Sequence, residues 1–230
     1  MKFILAGLLM AVSLAPFPVW GKETLAQQVH DLVTRVDARY AATKDFQADF
    51  TQETRIEGFE TPLKSSGRVF IKKPGHLRWD YLDPSVEHIY VHNDQLEMYV
   101  PQHNQILKGN LTMMVATKAP LALLQGAGKL AEHFEVHPTD NGRTGEGGLP
   151  LLTLIPKNPG QSGTSSVTRI ISEIQPGTYF IRSLALHEVS GNISTFHFTN
   201  VKANAGIDNT VFTLNPPEGV VIVEDVLPQG

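Results

Sequence analysis

Between Gly67 and Tyr81 the chain reads G-R-V-F-I-K-K-P-G-H-L-R-W-D-Y. Apolar residues recur there at every second position on both sides of Lys73-Pro74-Gly75. A period of two belongs to the β-strand, whose side chains point alternately to opposite faces. The stretch therefore predicts two strands joined by a tight turn. Val69 and Ile71 share one face with Lys73, and Leu77 and Trp79 share a face with Tyr81. Two readings stand side by side. Turn polars ordinarily close a buried apolar strand at its solvent end. Alternatively, an apolar wall carries a charged latch at its rim.

The surrounding chain extends the same pattern. Thr24 can cap a helix in which Leu25, Val29, Leu32, Val33, Val36 and Tyr40 recur at helical spacing, predicting an amphipathic helix laid on a sheet. From Asp45 to Ile56 the period returns to two. Phe46, Ala48, Phe50, Gln52, Thr54 and Ile56 lie on one face, and Gln47, Asp49, Thr51, Glu53 and Arg55 on a wet opposite face. Further strands are predicted at 86–91, 95–100, 104–108, 134–137, 151–155, 167–174, 179–188, 194–201 and 211–214, with turn residues between them and a terminal apolar run at 220–223. Leu111 to Phe134 interrupts this rhythm with short apolar helices or turns. Pro120 suits the first turn of a helix and Gly126 a helix end. These pieces must cover an apolar surface, either as ordinary core or as a movable lid.

Composition removes whole classes of function. The 230 residues are 41% hydrophobic and 18% charged, enough to build a core. The net charge of −4 disfavours a nucleic-acid binder, which needs a basic face against phosphates. The chain has no cysteine, so disulfides, thiol catalysis, zinc–thiolate sites and a lipid-modified cysteine are excluded. Met1-Lys2 followed by the apolar Phe3–Leu14 reads as a secretory signal, with cleavage after Gly21; Pro16 and Pro18 end it short of a membrane span. Residues 22–230 are expected to form a single domain. A secreted chain without cysteine fits a bacterial periplasm.

Enzyme signatures are absent: no H-E-x-x-H, no P-loop, no G-x-S-x-G and no G-x-G-x-x-G behind a strand. His88 and His92 would chelate a metal on a helix, but on a strand they stand roughly 13 Å apart and read as surface histidines. The Gly142–Gly148 stretch lacks the strand–loop–helix setting of a phosphate site. The expectation is a non-enzyme without metal or cofactor. What remains is a large antiparallel sheet with an apolar inner face partly covered by helices, a half-barrel able to hold a hydrophobic ligand.

Four segments in order resemble the LolA family of periplasmic outer-membrane lipoprotein carriers. They are F-Q-A-D-F-T-Q at 46–52, the Gly67–Tyr81 stretch, P-L-A-L-L-Q-G at 120–126 and F-T-L-N-P-P-E-G-V-V-I-V at 212–223. The resemblance implies a mainly β fold, an incomplete antiparallel β-barrel of about eleven strands, with an α-helical lid over a hydrophobic cavity. It implies acylated lipoproteins as cargo, an inner-membrane lipoprotein-releasing ABC transporter complex as donor, an outer-membrane lipoprotein receptor as acceptor, and a monomeric carrier. Two positions depart from the family pattern. The residue before Pro74 is often an arginine that reaches the lid; Lys73 keeps the charge but not the planar fork. A cavity position that can be aromatic is Leu77. Related receptors carry a lipid-attachment cysteine, which this chain lacks.

Strand parity and the motif match together place Val69, Ile71, Leu77, Trp79, Tyr81 and Met98 on the cavity wall. They place Met113, Met114, Leu121 and Leu124 on the lid, and Lys73 as the latch at the rim. The competing readings are a lipid-sensing regulatory module, a carrier of another lipid, and an esterase, which the missing nucleophile motif disfavours.

Overall fold

The computed structural model describes residues 23–93, 95–110, 130–157 and 167–224. The expected signal segment 1–21, the four expected lid residues Met113, Met114, Leu121 and Leu124, and nearly all of the loop at 157–166 lie outside the described residues.

Helix α1 (Leu25–Ala41) starts where Thr24 Oγ1 accepts the Gln27 N–H at 3.2 Å. Its buried residues, Val29, Leu32, Val33, Val36 and Tyr40, form the stripe that the 3.6-residue period demands. Strand β1 (Asp45–Arg55) follows, then β2 (Leu63–Lys72), β3 (His76–Asp83), β4 (Glu87–His92), β5 (Gln95–Val100) and β6 (Gln105–Asn110). A four-residue helix α2 (Leu130–His133) leads into β7 (Phe134–Pro138), β8 (Leu152–Pro156), β9 (Val167–Ile174), β10 (Ile181–Glu188) and β11 (Ile193–Ala203), and β12 (Val221–Val223) ends the described chain.

All twelve strands among the described residues belong to one sheet, in the order β12-β6-β5-β4-β3-β2-β1-β11-β10-β9-β8-β7. Two antiparallel meanders, β1–β6 and β7–β11, are joined where β1 pairs with β11 from Phe46↔Ala203 to Arg55↔Ile193. The sheet is unclosed, with β12 and β7 as its edges. Helix α1 lies against β7 and α2, and Asp37 Oδ1 accepts the Leu130 N–H at 3.0 Å.

One expected strand is not a strand. Asn209–Phe212 is a 3-10 turn capped by Asp208, whose Oδ1 accepts from Thr210 N at 2.8 Å and Thr210 Oγ1 at 2.7 Å. The local hydrogen bonds of the aspartate outcompete the apolar alternation of the next residues. The last strand is the apolar run itself, Val221–Val223, which pairs with β6 in parallel. The segment before it crosses the outer face of β2–β4. Lys72 Nζ donates to the Ile207 carbonyl at 2.6 Å, and Arg78 Nη1 donates to the Val211 carbonyl at 3.2 Å. Beneath it Asp80, 5% exposed, accepts both of its Arg78 Nε contacts at 2.9–3.0 Å and meets His88 Nδ1 at 2.7 Å. His88 is thus tied to the Arg78–Asp80 ion pair and half-buried, a correction to its reading as a surface residue. His92 meets His76 across the strands, Nδ1 to Nδ1, at 3.0 Å.

Gly67 sits where β2 and β3 leave no room for a side chain. A Cβ there would lie 1.8 Å from the Asp80 carbonyl oxygen and 2.9 Å from the Phe50 ring. The first clash is with backbone that is itself paired, so it cannot relax cheaply. Gly67→Ala is expected to destabilise the protein by about 3 kcal/mol or more. Urea unfolding of the variant measures this, and a loss under about 1 kcal/mol would show that the β2–β3 pair can shift to admit a methyl.

Candidate functional site

The strand register sorts the inner face into cross-strand rows, because directly opposed residues point the same way. One row runs Phe46–Ile71–Leu77–Val91–Leu96 across β1 to β5. The next runs Ala48–Val69–Trp79–Ile89–Met98. A third runs Phe50–Gly67–Tyr81. All six expected wall residues therefore stand in three adjacent rows of one face. Val69, Leu77 and Trp79 are fully buried and Ile71 is 2% exposed, whereas Tyr81 and Met98 are half-buried and pack against the same cluster.

The second meander continues this surface. Gln52 and Thr54 oppose Phe196 and Ser194 on β11, which oppose Leu184 and Leu186 on β10. Those lead to Ser172 and Ile170 on β9, then Leu152 and Leu154 on β8. The wall residues named from sequence all lie in the first meander. Phe196, Leu184, Leu186, Ile170, Leu152 and Leu154 complete the face, and each is buried. Their signal was available as the period-two alternation of β8 to β11, which reads as core without the register that joins it to β1.

Trp79 is the hub. Its ring lies 4.6 Å from Phe50, 5.7 Å from Phe196 and 6.4 Å from Phe198 between centroids, the last two edge-on. Such tilted and edge contacts suit the quadrupoles of aromatic rings. Tyr81 meets Phe50 edge-on at 5.3 Å, and its hydroxyl donates to Gln52 Oε1 at 2.8 Å. That reach across β2 is possible because Gly67, between Phe50 and Tyr81, has no side chain.

Lys73 sits at the end of the β2 row, half-buried. Its Nζ donates to the Tyr40 carbonyl at 2.5 Å, in the last turn of α1. That carbonyl also accepts the Thr43 N–H at 3.1 Å, and a cation at a helix C-terminus meets the negative end of the helix dipole. Burial pulls the Lys73 ammonium below the ordinary lysine range. Tyr40 itself is buried, its hydroxyl accepting the Ile181 N–H at 3.2 Å. Among the described residues, then, Lys73 fastens α1 to the sheet. The lid segment it was expected to reach lies outside them.

The outer face is of another character. A groove of about 720 Å³ over β1, β2 and β11 is lined by Thr51, Glu53, Arg55, Lys64, Ser66 and His197 among others. Charged and hydroxyl groups of that kind do not take an acyl chain. Among the described residues no three histidine or acidic side chains converge on a point where a metal could sit.

Burial and the nearby Glu87 push the Tyr81 phenol up to about 12, with the Trp79 N–H pulling weakly the other way. A phenol raised above its unfolded value near 10 contributes stability that is complete below about pH 10 and lost as pH rises towards 12. Tyr81→Phe is therefore expected to make the fall of unfolding free energy between about pH 10 and 12 shallower than in the parent protein. Equal slopes in urea titrations across that range would contradict the phenol's burial.

Comparison with known proteins agrees with this geometry. The family model described as outer membrane lipoprotein carrier protein LolA matches residues 41–215. An outer-membrane lipoprotein carrier protein of Nitrosomonas europaea is 27% identical over 98% of this chain and 100% of its own length. Another of the same description, from Methylococcus capsulatus, is 26% identical over 91% of this chain and 95% of its own. The crystal structure of an uncharacterized conserved protein from Thermus thermophilus shares the fold at a TM-score of 0.54, with 12% identity, covering 86% of this chain and 99% of that one. A mainly β, unclosed sheet with an apolar inner face and a family match from the end of α1 to the capped turn before β12 make this chain a member of the LolA family of outer-membrane lipoprotein carriers.

Proposed function

We propose that this protein takes acylated lipoproteins from an inner-membrane lipoprotein-releasing ABC transporter complex, carries them through the periplasm, and delivers them to an outer-membrane lipoprotein receptor. The observation that carries the reading is the apolar inner face continuous across both meanders, set against a polar outer face. Each methylene removed from water contributes about 0.8 kcal/mol, so an acylated protein leaves a membrane only if its chains are hidden elsewhere. The sheet supplies that hiding place, and a carrier that makes and breaks no covalent bond needs no catalytic group.

Release is the harder half of the task. A carrier must hold its cargo firmly and still give it up, so its closed and open forms can differ by only a few kcal/mol. The inner wall we assign comprises Val69, Ile71, Leu77, Trp79, Tyr81 and Met98. The cover comes from the segment that holds Met113, Met114, Leu121 and Leu124. Lys73 works at the rim between them, its ammonium shared between the α1 carbonyl it already meets and the cover. Residues 1–21 direct export to the periplasm, and residues 22–230 act as one monomeric domain.

Spheroplasts making a labelled lipoprotein provide the test. The purified protein is expected to release that lipoprotein as a one-to-one soluble complex. Release of free lipid alone, or hydrolysis of acyl esters, would overturn the carrier reading. Lys73→Leu is expected to lose about 1 kcal/mol of stability with its hydrogen bond, and to change the rates of loading and unloading severalfold. Unchanged rates would retire Lys73 as a latch.

A further inference from the structure

The inner face is not uniformly apolar. Towards the end where β1 meets β2 in a hairpin, a chain of polar groups crosses it. Tyr81 donates to Gln52 Oε1 at 2.8 Å, Gln52 Nε2 donates to Thr54 Oγ1 at 3.1 Å, and Thr54 Oγ1 lies 3.1 Å from Ser194 Oγ. Tyr81, Gln52 and Thr54 are half-buried and Ser194 is 8% exposed. Next to this chain Trp79, fully buried, has an indole N–H with no hydrogen-bond partner among the described residues. The Trp79 and Tyr81 rings are neighbours at 6.4 Å.

An indole nitrogen can only donate. Leaving it unpaired in an apolar interior costs the full desolvation of the donor, and phenylalanine would fill much of the same space without that cost. A hydrocarbon tail offers nothing to a donor. The polar head to which acyl chains are joined does, because each ester or amide carries a carbonyl acceptor. The position matches as well. The row beyond Trp79 on the Lys73 side, Phe46–Ile71–Leu77–Val91–Leu96, is apolar throughout, so acyl chains lying against it would bring their carbonyl end to Trp79 and Tyr81.

We infer that Trp79, Tyr81 and Gln52 form a seat for the ester or amide carbonyls of the bound lipid, fixing the depth to which its acyl chains enter the apolar face. The indole N–H donates directly to a carbonyl. Gln52 Nε2, now satisfied by Thr54, turns to a second acceptor while Thr54 keeps Ser194. This inference rests on the carrier reading and adds to it what part of the cargo is recognised and where.

The test compares two probes, dioctanoylglycerol and its dioctyl ether counterpart, which has the same number of chain carbons and no carbonyls. The protein is expected to bind the ester about three- to tenfold more tightly than the ether, the yield of one or two net hydrogen bonds. Tyr81→Phe combined with Gln52→Leu, and separately Trp79→Phe, should shrink the ratio of ester to ether affinity towards one. Equal affinity of the unaltered protein for both probes would overturn the seat and leave the acyl carrier intact. Binding of neither probe would remove the carrier reading itself. Circular dichroism confirms that the variants fold, and the comparison on the unaltered protein decides the matter if they do not.

Discussion

Strand β1 is the part on which the rest of the structure depends. It is the only strand among those described that joins the two meanders, through β2 on one side and β11 on the other. Its parity decides which surface becomes the interior. Phe46, Ala48 and Phe50 point inward, and a shift of one residue would exchange them for Gln47, Asp49 and Thr51. Both neighbouring registers are fixed against that shift. Asp49 receives Arg68 at 3.1 Å and Asn200 at 2.7 Å on the outer face, and Asp45 accepts the Ala205 and Gly206 N–H groups at 2.7 and 3.1 Å. Polar contacts outside the sheet thereby hold an apolar surface inside it.

That division also explains how a protein can gather a large apolar surface on one face of its sheet and still fold to one state. The outer face of β2–β4 is occupied by the chain's own segment at 205–220, tied down by Lys72 and Arg78. Tyr90 and Ile106, which point outward by register, are buried at 9% and 2% exposure. Apolar groups on the wrong face are covered by the chain itself. The inner face carries the rest, with α1 fastened beside it by Lys73 and by the Tyr40 hydroxyl.

Much of this was legible in the sequence because period-two alternation depends only on local order. The strands of both meanders and the inward set Val69, Ile71, Leu77 and Trp79 followed from it. What escaped depends on register or on backbone acceptors. His88 and His92 seemed isolated because their partners, Asp80 and His76, lie on the neighbouring strand. Lys73 could be seen as a cation at a rim, but its present acceptor is a main-chain carbonyl 33 positions earlier, which no side-chain pattern marks. Residues 211–214 alternate like a strand, yet Asp208 captures the preceding turn and Arg78 takes the Val211 carbonyl. The strand count rose from about eleven to twelve when Val221–Val223 joined β6, a pairing between distant segments.

The central claim is that cargo chains lie against the inner face, and the sequence supplies a reporter for it. Residues 22–230 contain a single tryptophan, Trp79, at the hub of that face. The direct measurement is quenching of its fluorescence in a protein comprising residues 22–230 by a diacylated lipopeptide brominated along its acyl chains. Saturable quenching at one lipopeptide per protein, absent with the peptide alone, is the predicted result. Binding without quenching would place the chains elsewhere and contradict the account.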